Sequence, residues 1–137
     1  MSDTIETRLT MAQFIARMAL RMTAEYTDRN PNMNDDNMDH WRCVISCGRR
    51  RMTLVFSMGL GHRGAEPKLA EVLDCIASDA ASALEDFADW CSNLGYSEDS
   101  RKAERVYKAC QRQAVSLRRL LGSTAAYETL LFRTERV

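Results

Sequence analysis

The residues with the most chemistry in reserve are two histidines and five cysteines. His40, Cys43 and Cys47 stand close together and His62 follows in the next segment. Zinc would want four nitrogen and sulfur ligands, most often from paired Cys-x-x-Cys knuckles. No such pair occurs, and on a strand His40 and Cys43 point to opposite faces, so neither metal nor cofactor is expected. A cysteine nucleophile needs a base beside it. Cys43 or Cys47 with His62 would supply the atoms, yet a histidine in a glycine-rich loop reads more simply as a solvated side chain. The loop Gly59-Leu60-Gly61-His62-Arg63-Gly64 loosely suggests a phosphate cradle but lacks the lysine at the offset a P-loop requires. Asp74, Asp79, Asp86 and Asp89 are spread over helix surfaces, with no pair set for acid–base work. The expectation is a protein that is not an enzyme.

What remains is charge. The formal net charge is zero, from 19 basic and 19 acidic residues, so no global field argues for nucleic acid. The segregation is strong, however. Trp41 to Arg63 holds five Arg/Lys and no acid, Gly64 to Asp99 one Lys and nine acids, and Ser100 to Val137 nine Arg/Lys and three acids. One reading is internal matching of acidic and basic elements. The functional reading is a partner-binding patch of Arg49, Arg50, Arg51, His62, Arg63, Arg101, Lys102, Arg105, Lys108 and Arg112. On a helix Arg101, Arg105, Lys108 and Arg112 form one stripe. RNA, DNA or an acidic protein surface would suit such a patch, and the polar loop Asn30 to Asn37 is a further contact candidate. A basic helix could equally mate with an acidic helix of a second copy, which leaves a homodimer open.

The elements that must position these residues centre on a hairpin. Trp41, Cys43 and Ile45 alternate with Arg42, Val44 and Ser46; Met52, Leu54, Phe56 and Met58 alternate with Thr53, Val55 and Ser57. Period two predicts two half-buried strands, joined by a Gly48 turn carrying three arginines. Before them, residues 1 to 9 read as a loose tail. A capping box at Thr10 and Gln13 opens a helix to about Ala19, and Leu20, Met22, Ala24 and Tyr26 mark a first strand. After the hairpin, Pro67 opens a helix to about Leu84. A second runs through Phe87, Trp90, Cys91 and Leu94 to Gly95. A third runs from Ser100 to Gly122, and a last one is capped by Ser123 and carries Tyr127, Leu130 and Leu131. A three-stranded sheet cannot leave its apolar face bare. The expectation is therefore one α+β domain over 1–137: an N-terminal helix, a three-stranded antiparallel sheet with a central β-hairpin (10–63), and a C-terminal layer of three or four helices (65–132).

No apolar run reaches the roughly 18 residues of a membrane span. The opening MSDTIETRLT carries acids and no apolar core, so no secretory signal is expected. Unpaired cysteines at apolar positions predict reduced, partly buried thiols and a cytoplasmic location. The methionines sit mostly on predicted core faces; Met33 and Met38, near the polar loop, are the exceptions.

The strings NPNM at Asn30, MDHW at Met38, GRRRMT at Gly48, FSMG at Phe56, VLDCIASDA at Val72 and SRKAERVYKAC at Ser100 together resemble the small accessory proteins of tailed phages and prophages. The resemblance spans roughly Arg21 to Leu121. It implies a protein at work in the cytoplasm of a bacterial host, and by association an inhibitor of host defence of the anti-CRISPR type, its partner a host or defence protein such as a CRISPR effector. It carries no catalytic motif. The alternative is a nucleic-acid-binding accessory protein using the hairpin tip and the basic helix. The order helix, three strands, helix also matches double-stranded-RNA-binding domains in outline. Here the helix after the sheet starts Pro67-Lys68-Leu69-Ala70-Glu71 and turns acidic, so the match is one of topology only.

Overall fold

The computed structural model describes residues 9–27, 38–59 and 65–135. The element order is β1 (Leu9–Thr10), α1 (Met11–Met18), β2 (Leu20–Thr27), β3 (Asp39–Cys47), β4 (Arg50–Met58), α2 (Leu69–Ser82), α3 (Phe87–Leu94), α4 (Arg101–Leu121), α5 (Thr124–Glu128), a π-helical turn (Thr129–Arg133) and β5 (Thr134–Glu135). The α+β class holds, with a three-stranded antiparallel sheet ordered β2-β3-β4.

Local chemistry accounts for most of the boundaries. Thr10 and Gln13 form the reciprocal capping box on α1, each accepting the other's backbone N–H, at 3.1 and 2.9 Å. The helix ends on Ala19, which takes the left-handed conformation at φ 52°, and β2 begins at the next residue. Ser100 and Ser123 accept backbone N–H bonds at the starts of α4 and α5. Gly95 and Gly122 close α3 and α4 with positive φ, the usual left-handed stop.

The sheet obeys the period-two reading. Leu20, Met22 and Ala24 on β2, Cys43, Ile45 and Cys47 on β3, and Met52 and Leu54 on β4 share the inner face by register. They join Phe14 of α1, Val72, Leu73, Ile76 and Ala77 of α2, Leu117, Leu120 and Leu121 of α4, and Tyr127, Leu130 and Leu131 in one apolar core. A second cluster lies where α3 meets the start of α4. Trp90 is buried there, stacked on Tyr96 with ring centroids 5.3 Å apart and edged by Tyr107 at 5.3 Å; its indole N–H donates to Ser82 Oγ at 3.3 Å.

Three expectations need correction. Leu9 is no part of a loose tail: it is 5% exposed, in the core, and β1 pairs in parallel with β5 through Leu9↔Thr134 and Thr10↔Glu135. Residues 1–8 lie outside the described residues. The helix expected to begin at Pro67 begins at Leu69, because Pro67 itself is buried and Glu71 reaches back to the Lys68 N–H at 3.1 Å. The reversal does not carry three arginines. Cys47 pairs with Arg50, so the turn is only Gly48-Arg49, and Arg50 and Arg51 are already strand. Gly48 takes φ 62°, which a two-residue hairpin demands at that position.

Candidate partner-binding surface

The ten residues expected to form one basic patch divide into separate groups. Arg50 is on the inner side of the sheet, opposite Cys47. Its Nε donates to the Leu120 carbonyl at 2.9 Å and its Nη2 to the Leu121 carbonyl at 3.5 Å. These are carbonyls at the end of α4 that lack helical partners, and a cation is favoured there by the helix dipole. Arg50 is thus a latch holding the hairpin to the end of α4. A Cβ built on Gly122 would lie 2.5 Å from the guanidinium carbon, so the latch lies directly over the helix stop. Arg49 occupies the exposed tip, and Arg51 is exposed on the outer face of the sheet, in one row with Ser46 and Arg21. His62 and Arg63 lie outside the described residues, as do 28–37 with the Asn30 to Asn37 loop and Met33.

The remaining five cations are all exposed on α4. Its apolar side, Ala103, Cys110, Leu117 and Leu121, is buried against the core and α2. At about 100° per residue, Arg101, Arg105, Lys108 and Arg112 fall within one narrow sector opposite that apolar side. Together with Glu104 they line a shallow depression. Lys102 is about 100° round the helix from Arg101 and flanks the stripe rather than joining it. Arg119, the end of the basic helix read from the sequence, continues the row. One residue beside the stripe escaped that reading: Val115 is 52% exposed, and its helical spacing, fourteen positions beyond Arg101, made it legible. Arg118, by contrast, is turned over the Tyr127 ring at 4.8 Å. Lys108 donates to Glu104 at 2.9 Å, with both side chains more than half exposed, a pair that adds little stability.

The hairpin meets α4 at its far end, away from the stripe. Leu120 lies eight residues beyond Arg112 and nineteen beyond Arg101, or about 12 and 28 Å along the helix axis. Arg50 therefore touches the far end of the helix whose start carries Arg101.

The described candidates, Cys43, Cys47 and His40, are engaged in packing. Cys43 is fully buried, and burial together with the nearby Glu66 carboxylate pushes its thiol up to about 11. Cys47 directs its thiol to the Met18 carbonyl at 3.5 Å. His40 is buried on the opposite face of β3 and bonds its cross-strand neighbour Ser57 through Nδ1, at 2.6 Å. All five cysteines are free. Among the described residues no group of three metal-binding side chains comes together, and no helix is long and apolar enough to cross a membrane.

Comparison of the chain with models of known protein families, with curated proteins and with solved structures finds no match.

Proposed function

We propose that this protein acts by binding rather than catalysis, as an accessory factor of the kind phages and prophages carry, and that the exposed face of α4 docks on an acidic surface of a host or defence protein in the host cytoplasm. The observation that carries this reading is the stripe Arg101, Arg105, Lys108 and Arg112, unburied over three turns of a helix whose other side is fixed in the core. A rigid row of cations with an exposed Val115 at its end supplies both charge and an apolar contact. A CRISPR effector is the target class that the phage resemblance suggests.

A protein partner is favoured over nucleic acid by the exposed Val115 beside the stripe, an apolar contact that a protein surface can bury and a phosphate backbone cannot. The non-catalytic reading is supported by the burial of Cys43 and by His40 facing away from it.

The test is a tagged pull-down from a bacterial host with and without nuclease, run in parallel with R101E/R105E/K108E/R112E. A stoichiometric protein that survives nuclease and is lost with the variant supports the reading. Retention by the variant rules out the α4 face. Partners that vanish with nuclease replace it with direct nucleic-acid binding, and binding should then fall steeply with salt.

A further inference from the structure

β2 is an edge strand. All eight of its residues pair with β3 on one side, and among the described residues no strand pairs with its other side. A long bare edge is a template for another strand unless something blocks it. On the outer face of β2 Arg21, Thr23 and Glu25 are exposed, and Thr27, the last of the row, is half-buried. On the inner face Tyr26 is 56% exposed although it packs edge-on against Trp41 at 5.7 Å, because its far side lies at the open edge.

We propose that β2 pairs with β2 of a second copy, antiparallel about a two-fold axis through Thr23, joining the two sheets into one of six strands. The charges select this occupant and this register. With Thr23 opposite Thr23 of the second copy, Arg21 lies opposite Glu25 of the second copy, and Glu25 opposite Arg21 of the second copy. Both outer-face charges are thereby matched twice over. On the inner face Met22 stands opposite Ala24 of the second copy, and Leu20 opposite Tyr26 of the second copy. A slip of two residues in either direction loses both ion pairs, and a parallel pairing would set Arg21 against Arg21. Opposite charges across strands stabilise and like charges destabilise, so Arg-x-Thr-x-Glu is its own complement only when run antiparallel in this frame. A two-fold contact of this kind is closed, and it stops at a dimer. It uses neither α4 nor the hairpin tip, so it stands independently of the partner-binding reading.

The experiment is sedimentation velocity and light scattering over a concentration series, using the full chain, R21E, E25R and an equimolar mixture of the two variants. The native chain should form a species of twice 15.6 kDa. Each variant alone sets like charges opposite each other at both contacts, and its dimer dissociation constant should rise about tenfold or more. The mixture should dimerise again, because a strand with two glutamates then meets a strand with two arginines. R21E faces Ser46 across β3 within the protomer, so it leaves the fold intact and decides the matter even if E25R, set against Arg42, does not fold. A native chain that stays monomeric at every concentration overturns the proposal. So does an R21E dimer as tight as the native one, or a mixture of folded variants that fails to associate.

Discussion

Replacing Arg50 by alanine should lower stability, while replacing Arg49 or Arg51 should not, although the three arginines are consecutive. The magnitude follows from the contacts. One charge-assisted bond of 2.9 Å and one longer contact of 3.5 Å reach carbonyls at the end of α4. Buried bonds to charged groups contribute about 1.5–3 kcal/mol, and an exposed cation at a helix end about 0.3–1 kcal/mol. Arg50 is itself exposed, so about 1–1.5 kcal/mol is expected for R50A, close to the average effect of a substitution. Gly122 gives the second arm of the argument. Its φ of 79° makes alanine there cost about 1–2 kcal/mol on backbone grounds, and the added methyl must also displace the guanidinium. Displacing it breaks the same hydrogen bonds that R50A removes. G122A should therefore cost about 1 kcal/mol less when Arg50 is already alanine, a coupling readable in a double-mutant cycle by chemical denaturation. In thermal unfolding the R50A loss corresponds to a fall of about 3–6 °C. The reasoning fails if G122A costs the same in both backgrounds, or if R49A is as damaging as R50A. One practical result follows: loss of partner binding in R50A reports a loosened hairpin, not a lost contact.

Three further outcomes are expected. Ala19 holds a left-handed cap at φ 52° that glycine adopts without strain, so A19G should raise stability by about 0.5–1 kcal/mol, the strain relieved less the extra freedom of the unfolded chain, as read from the denaturant midpoint. The thiols of Cys43 and Cys110 are held at about 11 against an ordinary 9.0, chiefly by burial. Their folded-state values are raised, so the stabilisation is full below pH 9.0 and is lost as pH climbs toward about 11. Stability should fall across that window, and C43A/C110A, though less stable at neutral pH, should flatten the fall; an equally steep decline in the double variant refutes the assignment. Cys75, the exposed cysteine, should be the first to react with a thiol reagent at neutral pH.

The elements were legible because they are local. Alternation over Trp41 to Met58, the Thr10–Gln13 box, and the glycine stops at Gly95 and Gly122 each reside within a few residues of sequence, and each appears in the fold. What escaped depends on distant partners. Leu9 is buried because Thr134 and Glu135 pair with the segment that carries it. Arg50 leaves the charge patch because carbonyls seventy positions away take its donors. Its strand position was within reach, since Cys47 belongs to the period-two run and a two-residue reversal sets Arg50 opposite it. The stripe on α4 was legible for the same local reason as the hairpin, because helical spacing alone places Arg101, Arg105, Lys108 and Arg112 together.

Packing also bears on whether the acidic and basic segments neutralise each other. α2 lies against the apolar side of α4, where burial, and after it the Asp79 carboxylate, raises the Cys110 thiol. The stripe is on the opposite side. Among the described residues its ion pair is with Glu104 of the same helix, and none connects it to the acids of α2 or α3. A helix that packs by its apolar side must show its other side to solvent, so the acids of α2 cannot reach round to quench the stripe. The zero net charge is therefore an average over two fields of opposite sign on different faces. Within a Debye length of about 8–10 Å at physiological salt, an approaching surface meets one face and not the average.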